Sequence, residues 1–68
     1  MKLIEVRARH HFDILALAHK ARVPEEVVYH MLIDEPVMRS HAEAVLAALS
    51  KQCGSEYSLH NVEVKMRP

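Results

Sequence analysis

Six histidines are the residues of this sequence that most invite a metal site. His10 and His11 are adjacent, so their side chains point to different sides, and no histidine pair has the i, i+4 spacing of a zinc-binding helix. A metal site would need separate segments to converge, such as His19 with His30 and a carboxylate. We therefore predict solvated histidines, with no metal and no other cofactor. Near pH 6 several imidazoles become charged, which makes the neutral chain clearly basic.

Cys53 is the single cysteine of the sequence. A catalytic thiol needs an adjacent base and an oxyanion site, and the residues around Cys53 supply neither. One cysteine excludes an intrachain disulfide and a multi-cysteine zinc site, which indicates a reducing, cytoplasmic location. The single glycine excludes a glycine-rich phosphate loop. These features predict a protein that is not an enzyme.

Length and composition favour one small soluble domain over residues 1–68. Half of the residues are apolar and 26% are charged, which is too apolar for disorder. No apolar run approaches the roughly 20 residues of a membrane span, and the start, MKLIEVRARHHF, lacks the apolar segment of a signal peptide. Nine basic residues balance nine acidic ones. This neutrality counts against strong non-specific binding to nucleic acid.

The first half of the chain predicts two short helices. Residues 3–10 could form a helix or a strand. The spacing of Leu3 and Val6 fits one face of a helix, whereas the alternation of polar and apolar residues over 2–7 is typical of a strand. Asp13 is a good N-cap for a second helix. The inward face of that helix follows the i, i+3, i+4, i+7 spacing and comprises Ile14, Leu17, Ala18 and Ala21.

A third helix is predicted to start at Pro24. Proline has no backbone N–H, but an N–H at the first helical position has no partner within the helix, so its absence costs nothing there. Glu25 and Glu26 follow in the first turn, where the helix dipole favours negative charge. The helix ends before Pro36, and its inward stripe comprises Val28, Met31 and Leu32. Only two to three residues separate it from the second helix, which is the tight turn of a helix-turn-helix.

Ser40 and Glu43 have the spacing of a capping box and predict the start of a fourth helix. This helix is expected to end near Gln52, with Gly54 as a left-handed C-cap. Its buried face comprises Ala42, Val45, Leu46 and Leu49. We expect Leu17, Val28, Leu46 and Leu49 to meet in one core that joins helices two, three and four.

The stretch from Leu3 to Gly54 resembles the helix-turn-helix domain of the phage Cro and repressor (XRE) family. The segment FDILALAHKARVPEEVVYHMLIDEPV has the spacing of small and apolar residues found in that family, and MRSHAEAVLAAL resembles the helix that follows the motif in Lac-repressor headpieces. The resemblance implies a mainly α, four-helix domain of lambda-repressor/Cro-like fold. Its helix-turn-helix core would span residues 13–33.

The resemblance also implies a function, that of a sequence-specific DNA-binding transcriptional regulator. In this family the third helix enters the major groove of duplex DNA. The implied base contacts are Glu26, Tyr29 and His30, and the implied phosphate contacts are Lys20, Arg22 and Arg39. The full set of positions that would face DNA comprises Pro24, Glu25, Glu26, Val27, Tyr29, His30 and Ile33.

Some residues depart from the pattern of the family. Glu25 and Glu26 put negative charge where the helix approaches phosphates, and His11 and Arg22 occupy turn positions where the family usually has glycine. A positive φ at either turn position would be strained. The alternative function is a helix-turn-helix-like module that binds another protein through an outer face. That face would comprise Ile14, Val27, Tyr29 and Ile33.

A short C-terminal β-strand is predicted over residues 61–66, where Val62, Val64 and Met66 alternate with polar residues. A strand this short needs a partner for its backbone. Residues 1–6 are one candidate partner. The other is the same strand of a second copy, in an antiparallel pair around a two-fold axis, and this arrangement predicts a homodimer.

Overall fold

Three helices of eight residues and one of fifteen make up most of the chain. In the computed structural model, which describes all 68 residues, the helices are α1 (Leu3–His10), α2 (Ile14–Ala21), α3 (Glu25–Leu32) and α4 (Arg39–Cys53). Isolated helices of eight residues are marginal in water, so these helices depend on packing against one another. The prediction of a mainly helical domain with four helices is confirmed. None of the four combines the length and the apolar character needed to cross a membrane.

The N-terminal segment forms a helix and not a strand. Leu3 and Val6 bury the apolar side of α1 and are 1% and 0% exposed. The backbone N–H of Lys2 donates to the Glu5 carboxylate at 3.0 Å, which caps the start of the helix. His11 ends α1 in the left-handed region, with a φ of 51°.

The helix α2 starts and ends at the residues that the sequence predicts. The Asp13 carboxylate accepts a hydrogen bond from the backbone N–H of Ala16 at 2.9 Å, so Asp13 is the N-cap. Leu17 and Ala18 are buried on the inward face. Arg22 ends the helix with a φ of 58°, and its N–H donates to the carbonyl of His19 at 3.2 Å. A residue with a β-carbon therefore occupies this left-handed turn position.

A three-residue turn, Arg22 to Pro24, leads into α3. Pro24 is the N-cap of α3 and not its first helical residue, because its ψ of 143° is still extended. Glu25 and Glu26 occupy the first turn, as predicted. Beyond the helix, Asp34 has a φ of 65°, a third left-handed residue that the sequence pattern did not predict.

The fourth helix starts at Arg39 with Met38 as its N-cap, so the prediction of a capping box at Ser40 is wrong. The reason lies in the preceding residue. Backbone hydrogen bonds of Val37 with residues 65 and 67 keep the chain extended up to Met38, and the helix begins directly afterwards. Gly54 ends α4 with a φ of 70°, as predicted.

The predicted core residues Leu17, Val28, Leu46 and Leu49 are all confirmed as buried, with at most 1% of their surface exposed. Val27, in contrast, is wrongly predicted as an exposed docking residue, because it is only 7% exposed. Val27 packs in the core, and it borders a small cavity together with Val37 and Met38, the two residues before α4. Other buried residues that the patterns did not single out are Phe12, Val37 and Tyr57.

The C-terminal segment is extended but is not a β-strand, so the predicted strand over residues 61–66 is wrong. It forms two isolated parallel bridges, Lys2 with Glu63 and Val37 with Met66. The N–H of Glu63 donates to the carbonyl of Met1 at 2.7 Å, and the N–H of Val37 donates to the carbonyl of Lys65 at 3.0 Å. Because its two partners lie in different parts of the chain, the pairing never extends into a ladder.

This pairing removes the argument for an intermolecular strand. Val62 is 1% exposed, and Val64 and Met66 are half-buried against the core of their own chain. The apolar side of the segment therefore faces inward, as the alternation predicts, but it packs on its own helices. The homodimer stays a prediction, and it no longer has an unpaired strand to support it.

Ser50 and Tyr57 fix the path of the chain between α4 and the C-terminal segment. The Ser50 hydroxyl donates to the carbonyl of Tyr57 at 2.9 Å and accepts from the N–H of Tyr57 at 2.8 Å. The Tyr57 hydroxyl lies 2.7 Å from Nε2 of His10, at the end of α1. These bonds attach the chain after α4 to α4 itself and to the end of α1. They therefore set the direction in which the C-terminal residues run across the helices.

Candidate nucleic-acid interface

The exposed side of α3 is determined by what its other side buries. Val28 is fully buried, Met31 and Leu32 are at most 8% exposed, and α3 packs against α1, α2 and α4. Residues that are i, i+3, i+4 and i+7 along the opposite side share one surface stripe. That stripe comprises Glu26, Tyr29, His30 and Ile33.

The three residues predicted to contact bases therefore lie together on α3. Tyr29 is 52% exposed, Glu26 is exposed and His30 is half-buried. The rings of Tyr29 and His30 are tilted by 48°, with their centroids 6.2 Å apart. A carboxylate accepts hydrogen bonds, for example from cytosine N4, while a phenol and an imidazole both donate and accept. This stripe has the hydrogen-bonding groups needed to read base edges.

A shallow groove of about 470 Å³ runs along the α2 side of this stripe. Its walls are the half-buried Ile14, the aromatic ring of Tyr29, and the side chains of Pro24, Glu25 and Glu26. The groove has two carboxylates and no basic residue. It is therefore the most acidic part of the α3 surface. It lies at the N-terminus of α3, where the helix dipole is positive.

Two of the predicted phosphate contacts, Lys20 and Arg22, are exposed at the end of α2 and in the turn before α3. Neither side chain takes part in an ion pair. Both are therefore free to bind an anion. Since they belong to α2 and the turn before α3, they could approach a duplex only from the α2 side of α3.

Arg39, the third predicted phosphate contact, lies at the start of α4, beside Glu43 and the C-terminal segment. Its Nε lies 3.7 Å from the Glu43 carboxylate, one turn further along α4. Its side chain borders a different groove of about 550 Å³, between α4 and the C-terminal segment, whose walls include Tyr57 and Met66. No residue of α2 or α3 borders that groove.

The structure places two other cationic or titratable residues beside α3, His41 and Arg67. Both border a cavity of about 190 Å³ that lies between α3, the start of α4 and the C-terminal segment, together with Glu26 and His30. The sequence patterns did not single out His41, although it precedes the buried Val45 by one helical turn and the periodicity of α4 could have placed it at the edge of the core. The position of Arg67 has no signal in the sequence, because it depends on the path of the C-terminal segment.

A cluster of charged residues lies at the other end of α3. The Asp34 carboxylate is 3.1 Å from Nζ of Lys2 and 3.7 Å from Nζ of Lys65. The hydrogen bond from Lys2 is the main reason that the pKa of Asp34 is lowered below its ordinary 3.8, and the same bond raises the pKa of Lys2 above 10.5. This cluster joins the start of α1, the end of α3 and the C-terminal segment, so it stabilises the positions of the elements around α3.

No three His, Cys, Asp or Glu residues lie close enough together to hold a metal ion. His19 and His30 therefore do not converge with a carboxylate. Cys53 is half-buried and packs against the core near the end of α4. The residues of the chain that carry chemistry are thus spread over the surface, and Glu26, Tyr29 and His30 form one group of them on α3.

Comparison with known proteins adds no family to this geometry. The resemblance of residues 3–54 to the Cro and repressor family therefore stays a prediction from the spacing of small and apolar residues. No protein-family model matches the chain, and no curated protein and no solved structure matches it either.

Proposed function

We propose that the chain is a sequence-specific DNA-binding transcriptional regulator of the Cro and repressor type, with a helix-turn-helix formed by α2 and α3. One observation carries the proposal. Two eight-residue helices are joined by a three-residue turn, and the second buries one side while leaving Glu26, Tyr29 and His30 on the other. This is the arrangement that a recognition helix needs.

The dimensions of α3 suit the major groove. With its side chains an α-helix is about 10–12 Å in diameter, and the major groove of B-DNA is about 12 Å wide, so α3 can lie within it. Glu26, Tyr29 and His30 would meet base edges, and Lys20 and Arg22 would bind phosphates. Base contacts give specificity, while phosphate contacts fix the position of the protein on the duplex.

The charge balance favours specific over non-specific binding. The chain has a formal net charge of zero, and Glu25 and Glu26 lie at the start of the proposed recognition helix. Non-specific affinity comes from the release of counterions by basic residues, so a neutral surface has little of it. A regulator with this surface would depend on its base contacts. Its DNA target and its single Cys53 are in keeping with a cytoplasmic location.

The test is a selection of bound fragments from a random duplex pool at low salt, followed by fluorescence anisotropy with the enriched duplex. We expect the enriched duplex to bind at least about 10³-fold more tightly than a scrambled one. We also expect Lys20→Gln to flatten the plot of log affinity against log salt by about 0.9. Lys51→Gln is the matched control, because Lys51 is exposed in the last turn of α4. If no duplex is enriched even at low salt, the proposal fails.

A second function is favoured by the apolar part of the same surface. Tyr29 and Ile33 are 52% and 48% exposed, and Ile33 follows Tyr29 by one helical turn, at the C-cap of α3. Tyr29 also shares a groove with the half-buried Ile14. This would be a protein-binding face without Val27, which is buried. Selection from a random peptide library tests it. Peptides that bind the chain and lose affinity for Tyr29→Ala support this function, whereas peptides that bind both equally do not.

A further inference from the structure

We propose that Arg67 is the phosphate-binding residue on the α4 side of α3, the role that the sequence pattern assigns to Arg39. This inference rests on the proposed DNA-binding function and concerns how that surface anchors the duplex. A helix in the major groove lies between two phosphate backbones, so anchors are needed on both of its sides. Lys20 and Arg22 flank α3 only from α2 and the turn.

The backbone of Arg67 is held in register beside the start of α4. Its N–H donates to the carbonyl of Val37 at 2.9 Å, and the N–H of Val37 donates to the carbonyl of Lys65 at 3.0 Å. Val37 itself is 3% exposed and belongs to the core. The two bonds therefore attach the C-terminal segment to a buried residue.

The side chain of Arg67 borders two cavities along α3. The first, of about 190 Å³, is shared with Glu26, His30 and His41. The second, of about 430 Å³, is shared with His30 and Ile33. His30, a proposed base contact, thus borders both cavities, and Arg67 lies beside it. Arg67 is therefore placed to bind a phosphate on this side of α3.

The guanidinium of Arg67 is available for an anion. It takes part in no ion pair and donates no side-chain hydrogen bond, although the carboxylates of Glu26 and Glu35 border the same cavities. Arg39, in contrast, lies 3.7 Å from Glu43 and borders the groove on another side of α4. A free guanidinium binds phosphate with two parallel hydrogen bonds, which favours Arg67 over Arg39 as the anchor.

The test compares Arg67→Gln and Arg39→Gln with the unsubstituted chain on the enriched duplex, by anisotropy over a series of salt concentrations. We expect Arg67→Gln to weaken binding and to flatten the log–log salt plot by about 0.9, the effect of one lost phosphate contact. Arg39→Gln is expected to keep the original slope. Thermal melting of each variant checks that the fold is retained, and Lys51→Gln controls for the loss of a charge far from α3.

The outcomes separate this inference from the function on which it rests. If the unsubstituted chain binds the duplex and Arg67→Gln keeps its salt slope, the Arg67 inference fails and the regulator function stands. If Arg39→Gln flattens the salt plot and Arg67→Gln does not, the phosphate-binding residue on this side is Arg39 of α4, and the Arg67 inference fails. If the unsubstituted chain binds no duplex, both proposals fail together.

Discussion

The charges of individual side chains on α3 determine how strongly and how selectively this surface would bind DNA. Glu26 is exposed in the first turn of α3, in the stripe that also carries Tyr29 and His30. Its carboxylate accepts hydrogen bonds but repels phosphates, so it favours one base edge at the expense of general attraction to DNA. Replacing Glu26 therefore tests both base recognition and the general attraction of this surface to DNA.

We expect Glu26→Gln to lower specificity and to raise non-specific affinity. The amide keeps the size of the side chain, removes the negative charge and weakens acceptance from cytosine N4. A good base contact discriminates by about 1–3 kcal/mol, so preference at one base pair should fall by up to that amount. Affinity for each single-base variant of the enriched duplex is the measurement. Glu56→Gln, an exposed position after α4, is the control, and an unchanged base preference in Glu26→Gln would contradict the role of Glu26.

Asp34 predicts a pH dependence of stability. Its pKa is lowered in the folded chain by the hydrogen bond from Lys2, so its contribution is present above about pH 3.8 and is lost as the pH falls through the folded pKa. Asp34→Asn should therefore lower the Tm at pH 7, and the difference should shrink as the pH falls below about 3.8. Asn tolerates the φ of 65° at this position, so the substitution tests the charge. Equal Tm values at pH 7 would show that the ion pair contributes nothing measurable.

Among the helices, α4 is the longest, and it supplies four residues of the core. It is fifteen residues long, it packs against α2 and α3, and its buried side comprises Ala42, Val45, Leu46 and Leu49. The eight-residue helices cannot persist alone. The position of α3, and of the surface on it, therefore depends on the packing of α2 and α3 on α4.

Leu46→Ala tests that dependence. Leu46 is 1% exposed, and removal of a buried leucine side chain costs about 2–5 kcal/mol. A domain of this size is stable by roughly 5 kcal/mol, so much of the population should unfold. Chemical denaturation followed by circular dichroism measures the loss. Leu15→Ala is the matched control, because Leu15 is 48% exposed on α2, and a wild-type denaturation curve for Leu46→Ala would show that the register of α4 is wrong.

At the scale of the whole molecule, the two ends of the chain stabilise the helices together. The N-terminal amino group of Met1 donates to the carbonyl of Asn61 at 3.0 Å, and the Lys2 ammonium binds Asp34 at 3.1 Å. Val62 inserts into the core beside them. The C-terminal segment therefore belongs to the fold of its own chain, and the homodimer stays a prediction.

A chain that ends at Tyr57 should be less stable than the full chain. It loses Val62, whose burial alone is worth about 1.5–3 kcal/mol, together with the backbone bonds to Met1 and Val37. The measurement is the denaturation midpoint of both chains, with sedimentation to give their masses. If the segment instead served only as a dimer strand, the shortened chain would be a folded monomer with the midpoint unchanged, and that result would contradict its place in the core.

Local patterns predicted the helices well because their causes are local. The cap at Asp13, the left-handed end at Gly54 and the buried stripe of Val28, Met31 and Leu32 follow from neighbouring residues alone. The stripe of Glu26, Tyr29 and His30 follows too, because the residues opposite a buried side must face outward. The sequence by itself thus determined α2, α3, the end of α4 and most of the core, but it left residues 3–10 open between helix and strand and wrongly placed Val27 on the exposed side of α3.

The remaining features depended on contacts between residues far apart in the chain. Periodicity assigned residues 61–66 to a strand, but their partners are Met1 and Val37, and no local pattern specifies which backbone an extended segment meets. That choice buried Val37, moved the start of α4 to Arg39 and placed Arg67 beside α3. Only the tertiary structure decided these positions, because each depends on where the C-terminal segment packs and not on its own sequence.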